Sequence, residues 1–571
     1  MYLGYKGKTG IILLFLFTVA ANAQTGSGYR YMFEADQHKG NIRSDDRIII
    51  IDYSLPELYV NNLTDRNGSF YRLAAPGHSL SSDPGKPELP VFSRLITIPE
   101  GASVHVKISG VKSQKITPSR NNIQGILYPA QPGETKQQEG RKPEFAFDRK
   151  VYSARKTIGS DTVSIETLGR IRGKQISNLV ISPVRYNPRA NVLEVITLMK
   201  IEIRFTGGYD KGDSSPSSES ELFNETLDKG LLNYSPAGLI TGFSTEPVGM
   251  IILTDSTFRK CLEPFYKWKT QKGFKLNILY RGKGTTGSTY SEMKDAISRV
   301  YSEALANGHA PEYLLIIGDI SRIPYYGTDN ITDMYYGETD GGSDYLPDMY
   351  IGRIPAPDTN SVKIAVEKIL QYERFEFAGT NNFYSKALVF AGKDATYAGY
   401  MNGQIRYALD NYLNTAGNIS ERHFFYPEGA TKKDSILKLI TEGLSFINYT
   451  GHGSQFGWLH VDIKSSDIRL LKNQNMYPFI ISNACRTAQF DDTTSFGNKM
   501  LLSREKGAIG FIGCSNDSYW DEDFIWAVGP GTPDPDPKYS LTGLGAYDRL
   551  FHTHDELPSD WYISLGQVNY A

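Results

Sequence analysis

The sequence predicts a β-rich N-terminal domain followed by an α/β domain carried on a mostly parallel sheet with helices on both faces. Three observations lead there. Short alternating runs without a long amphipathic helix fill roughly Arg47 to Phe205. Strands and helices alternate after Leu231. The strands of that second region are near-continuous apolar runs, the pattern of parallel strands covered on both faces.

In chain order, the N-terminus reads as an export signal. Lys6 and Lys8 precede the apolar run Ile11 to Ala20, and Ala21-Asn22-Ala23 places small residues before a cleavage expected ahead of Gln24. The run is too short to cross about 30 Å of hydrocarbon as a helix. No later stretch is apolar and long enough to span, so no transmembrane segment is expected in the mature chain. Strands are expected at Ile48–Tyr53, Ser93–Ile98, Val104–Ile108, Ile176–Ile181 and Val192–Phe205; the last alternates clearly from Lys200 to Phe205. Residues 207–229 are rich in Ser, Gly, Asp and Glu and read as a solvated linker, with Lys211 and Lys229 as candidate cleavage points. The expected segmentation is a signal at 1–23, a β-rich domain at 24–206, a linker with an activation site at 207–233, and the α/β domain at 234–571.

In the second domain, strands are expected at Gly249–Leu253, Leu276–Tyr280, Tyr313–Ile317, Lys386–Phe390, Ser445–Tyr449, Tyr477–Ser482 and Ala508–Ile512. Helices are expected at Thr257–Lys272, Ser291–Ala306, Ser361–Arg374 and Ser435–Gly443. Parallel sheets place chemistry at the carboxyl ends of their strands, and the polar punctuation falls there: Gly318-Asp319, Lys393-Asp394, Gly451-His452-Gly453, Asn483-Ala484-Cys485 and Gly513-Cys514.

Composition narrows the function. Lys and Arg total 61 against 63 Asp and Glu, which argues against a nucleic-acid partner. Three cysteines cannot form a disulfide framework or a cysteine-rich zinc site. His452 and Cys485 are the constellation that carries chemistry. A thiol attacks only as thiolate and needs a base beside it, and an imidazole on a neighbouring strand end supplies one. The amides of Gly453 and Cys485 could face an oxyanion. Cys514 has no base near it in the chain and reads as structural, and Cys261 as core. His552-Thr553-His554 lacks a partner motif for a metal. The acidic stretches Asp329–Asp348 and Asp517–Asp523 read as solvated loops that permit calcium without the EF-hand spacing.

These residues carry a resemblance. Asn448-Tyr449-Thr450-Gly451-His452-Gly453-Ser454, then Pro478-Phe479-Ile480 leading to Ala484-Cys485, resembles the catalytic segment of the gingipain family of cysteine peptidases. The likeness extends to Leu314–Asp319, Asp348–Arg353 and Gly507-Ala508-Ile509. Gly85-Lys86-Pro87-Glu88-Leu89-Pro90-Val91 and Ile181–Val184 resemble that family's inhibitory propeptide.

The resemblance implies a caspase-like fold and a secreted or cell-surface cysteine endopeptidase zymogen of a bacterial envelope. Protein or peptide substrates, the chain's own propeptide as inhibitor and a secretion machinery are the implied partners. Cys485 is then the nucleophile and His452 the general base and acid. Asp394, a Glu in the family pattern, is the carboxylate behind the histidine. Trp520 falls where relatives line the P1 pocket. Asn402 falls where arginine-specific relatives carry an acid, so strict basic specificity is not implied. No cofactor is required, and structural calcium is permitted. Relatives continue into further domains, so the catalytic domain is expected to run past Ala571. A transpeptidase of the same family, and an inactive binding protein, are the alternative readings.

Overall fold

The computed structural model describes residues 28–33, 42–45, 47–137, 144–159, 161–208, 220–234, 247–327, 330–340, 344–377, 382–542, 545–556 and 561–570. The expected export signal and Lys211 lie outside them.

The N-terminal unit is built of antiparallel sheets. Its spine is the strand Val192–Thr206, which pairs with Ile48–Ser54, Ser103–Ile116 and Val184–Asn187. A second sheet runs Val163–Ile171, Lys174–Ile181, Pro90–Ile98 and Ser79–Leu80. Alternation decides which side is buried at the ends of these strands: Ile49, Ile51 and Tyr53 share a core with Leu193, Val195, Ile201 and Ile203, and Lys200, Glu202 and Arg204 alternate with them toward solvent.

The second unit holds two wholly parallel sheets among the described residues, rather than one. The first has the order Phe274–Tyr280, Val248–Thr254, Tyr313–Ile317, Tyr350–Ile354. The second has the order Ser420–Phe424, Lys386–Ala391, Phe446–Thr450, Phe479–Asn483, Gly510–Gly513. Helices cover them, and the strands bearing the candidate residues are buried along their whole length. Loops from the two sheets meet where Ser515 Oγ and Asn516 Nδ2 donate to the Ile331 carbonyl.

Among the helices outside the sequence pattern, three bear on the argument. Ala398–Asn411 contains Gly399 and Gly403. A Cβ on Gly403 would sit 2.1 Å from the Asp534 carbonyl oxygen, so the loop crossing there demands the glycine. Trp520–Val528 starts inside an acidic run. Glu221–Gly230 corrects the linker boundary. The second half of that stretch is helical because Phe223, Leu227 and Leu231 bury one face against Tyr350. Lys229 therefore lies in a helix, its Nζ 5.3 Å above the Tyr562 ring, and not in an open loop.

Candidate active site

The second sheet brings the candidate residues to one rim. Thr450 pairs with Asn483 in register, so the chain leaves the two central strands side by side, His452 two residues on from one and Cys485 two residues on from the other. Asp394 follows the strand on the far side of the histidine strand. Gly451 turns with φ 153°, and Gly453 fits so closely that a Cβ would lie 2.8 Å from the Cys485 carbonyl oxygen. Arg486 adopts a left-handed φ of 57° immediately after Cys485 and sharpens the turn that follows the buried thiol.

His452 Nε2 lies 3.0 Å from Asp394 Oδ2. The Asp side chain spans the gap although it is one carbon shorter than the glutamate of the family pattern. Burial pushes the Asp394 carboxyl up, but the His452 bond and the amides of Tyr397 and Thr396 outweigh it, and the acid ends below its ordinary range. Burial pushes the Cys485 thiol up, and its hydrogen-bond partners are the Ser518 amide at 3.3 Å and the Ser518 carbonyl and hydroxyl.

The other ring nitrogen of His452 is engaged by the N-terminal unit. Nδ1 lies 2.6 Å from the carbonyl oxygen of Lys136. Residues 134–137 run antiparallel to 517–520: Thr135 bridges Tyr519, the Lys136 amide donates to the Ser518 carbonyl at 2.7 Å, and the Trp520 amide donates to Glu134. This is strand addition, the way a peptidase takes an extended peptide. The Lys136 side chain is 1% exposed. Its ammonium stands 2.7 Å from Asp523 Oδ2, donates to the Asn483 carbonyl at 3.0 Å and lies 4.9 Å from the Trp520 ring centre. Trp520 is itself stacked on Tyr397, centroids 4.4 Å apart and nearly coplanar. On the other side of the Lys136 carbonyl, Gln137 Nε2 donates to Asp517, which also pairs with Arg486.

The pocket thus holds a lysine and a carboxylate that the sequence reading missed. Asp523 lay in the stretch read as a solvated acidic loop, and Lys136 in a polar run with no local signal of burial. Asn402, expected at the substrate site, lies on the helix Ala398–Asn411 and exchanges hydrogen bonds with the Tyr426 backbone. The two histidines of the His552-Thr553-His554 run go into separate ring stacks, with Trp561 and Tyr539. Several described carboxylates of the acidic stretches have protein partners: Asp333 pairs with Arg353, Asp348 takes the Thr339 donors, Asp517 holds Arg486 and Asp523 holds Lys136. Among the described residues no three His, Cys, Asp or Glu side chains gather as a metal site would need.

The arrangement can take an extended chain, place a basic side chain on a carboxylate, and set a carbonyl beside an imidazole and a thiol. Comparison with known proteins agrees. Residues 244–570 match the model of Peptidase family C25, and residues 38–238 match that of Propeptide_C25. Lys-gingipain HG66 of Porphyromonas gingivalis is 32% identical over 510 residues, which is 87% of this chain and 29% of that protein. Gingipain R1 of the same organism is 24% identical over 452 residues, 77% of this chain and 44% of the relative. A solved protease structure superposes with a TM-score of 0.52 at 31% identity, covering 58% of this chain and 71% of that one. The chain spans under a third of the length of the Lys-gingipain it matches.

Proposed function

The chain belongs to peptidase family C25, and we propose that it is a cysteine endopeptidase zymogen that cuts after lysine and is held latent by its own propeptide. One observation carries the reading: Lys136 occupies the site as a substrate would, with its ammonium on Asp523 and its carbonyl on His452. The greater similarity to Lys-gingipain than to gingipain R1 supports the same preference.

In the proposed reaction Cys485 gives its proton to His452 Nδ1 and attacks the carbonyl that follows the P1 lysine. The Gly453 and Cys485 amides receive the oxyanion, and His452 then protonates the leaving amine and later activates water. Asp394 fixes the ring through Nε2. Latency follows from the same geometry. Both ring nitrogens face acceptors, Asp394 on one side and the Lys136 carbonyl on the other, so neither is directed at the thiol. Burial meanwhile keeps Cys485 protonated.

Export by the N-terminal signal, to the medium or the cell surface, is part of the proposal; an exported product beginning at Gln24 would support it. The central test labels the processed chain with lysyl, arginyl and alanyl peptidyl electrophiles and maps the modified residue by mass. Modification of Cys485, fastest with the lysyl reagent and lost in His452→Ala, is the expected result. Labelling at Cys514, or no preference for lysine, overturns the reading.

A further inference from the structure

We propose that the first half of the peptidase unit carries a second, non-catalytic pocket built for a guanidinium group, and that the propeptide fills it with Arg172. The ligand class is an arginine side chain. Arg172 and Gly173 form the two-residue tip of the hairpin joining Val163–Ile171 to Lys174–Ile181, with φ of 50° and 77°. Both positive angles are those of the tight turn that hairpins favour, and an arginine there accepts backbone strain that a glycine would not. Yet Arg172 is 3% exposed, whereas the tip of a surface hairpin would leave it in water.

The peptidase unit supplies the seat. Arg172 Nη1 donates to the carbonyls of Pro311 at 2.9 Å and Asp348 at 3.2 Å, and Nη2 to the Ala310 carbonyl at 3.1 Å. The guanidinium carbon also lies 5.9 Å from the Tyr301 ring of the peptidase unit, and 4.8 Å from the ring of Phe223 on the helix Glu221–Gly230 that precedes that unit. Acceptors set around a fork, with aromatic rings beside it, suit a planar cation and not a compact ammonium. The backbone is held as well: the Arg172 amide donates to Asp348 Oδ1, and the Arg170 amide to Asp344 Oδ2. A Cβ on Gly169 would meet Asp344 at 2.4 Å, so the seat is close-fitting.

The position separates this pocket from the catalytic rim. Ala310 and Pro311 precede the strand Tyr313–Ile317, and Asp348 precedes Tyr350–Ile354. The pocket therefore lies at the amino ends of the first sheet, while His452 and Cys485 lie at the carboxyl ends of the second. It serves no step of peptide hydrolysis, and its existence does not rest on the proposed activity. When the hairpin withdraws, the same carbonyls and Tyr301 remain to take an arginine from another chain.

The test empties the pocket in the full chain, in a Cys485→Ala background that prevents self-cleavage. Arg172→Gly removes the side chain and suits the positive φ. Thermal melting is followed with methylguanidinium, and with methylammonium at the same ionic strength. The expected result is a lowered Tm that rises with the logarithm of millimolar methylguanidinium, with no such rise for methylammonium and none in the Arg172 parent. An equal response to both cations, or an equal response in the parent, overturns the proposal. Should Arg172→Gly not fold, Arg172→Lys keeps the charge and stem without the fork. It is expected to melt below the parent, and a Tm equal to the parent's overturns the proposal.

Discussion

Lys136 and Arg172 are both basic side chains of the propeptide buried in the peptidase unit, and they are held in opposite ways. Lys136 sits on extended backbone paired with a peptidase segment, its ammonium on the Asp523 carboxylate and its carbonyl at His452. Arg172 sits on a left-handed turn, its guanidinium on main-chain carbonyls and aromatic rings, at the other end of a different sheet. On the proposed reading the first contact imitates substrate, because a peptidase takes extended chain, and it sets what the site recognises. The second, on a tight turn, adds attachment without offering a scissile bond.

The largest expected effect lies at the thiol. Cys485→Ala in the processed chain should lower hydrolysis of lysyl substrates at least about a thousandfold. Activity that survives would mean that the Lys136 contact imitates nothing catalytic. Next is the charge that reads lysine. Removing one partner of a buried ion pair costs about 3 kcal/mol, roughly a hundredfold, so Asp523→Asn should lower kcat/KM for lysyl substrates by that order. Arg172→Lys, a change carried only by the unprocessed chain, should leave that chain's residual lysyl hydrolysis within about twofold of the parent, since it touches no reacting group. A gain as large as that of Lys136→Ala would erase the distinction between the contacts. Third is latency itself. Lys136→Ala removes the ammonium from Asp523 and empties the pocket, loosening the strand that holds the residue-136 carbonyl on His452 Nδ1, so the unprocessed chain should hydrolyse a small lysyl substrate at least about tenfold faster than the parent, in line with a lost charge-assisted contact. A chain that stays fully latent would place inhibition on the remainder of the interface.

What the sequence let one read follows the same division. His452 and Cys485 were legible because short buried strands stop abruptly at polar residues, and adjacent parallel strands deliver those residues to one rim. Lys136 was not legible. Glu134 to Gln137 sits in a polar run, and only docking on another domain buries it. Asp523 was hidden within an acidic stretch whose composition says solvent, although it lies three residues after Trp520, one helical turn on. The helix Glu221–Gly230 did leave a trace: Phe223, Leu227 and Leu231 are spaced four apart, and the Ser-rich run before them masked it. The helix Ala398–Asn411 left none, and its Gly403 answers to the Asp534 crossing, which only the fold creates. Contacts between distant segments, not local preference, decide each of these.

The smallest effect expected separates the two contacts by pH. Glu88 of the propeptide is buried beside Arg72, at 3.1 Å, and burial pushes its carboxyl up to about 7, against the pull of Arg72 and with a further push from Asp521 of the peptidase unit. Asp521 is also pushed up, by burial first and then by Glu522 and Glu134, while Arg72 lowers it. Arg72 in turn covers the Tyr128 ring at 4.2 Å, and Tyr400 feels the same charges. A carboxyl whose folded pKa stands above its unfolded value adds stability fully present below the unfolded pKa, near 4.3, and lost as pH rises through about 7. The Lys136 side of the interface should therefore loosen as pH rises from about 4 to about 7. Hydrolysis by the unprocessed chain, normalised to that of the processed chain at each pH, should climb across this range. Glu88→Gln, neutral at every pH, should flatten the climb, whereas Arg172→Lys should leave its midpoint in place. A climb that persists in Glu88→Gln would move the titrating group elsewhere. A midpoint that shifts in Arg172→Lys would join the two contacts into one cooperative interface.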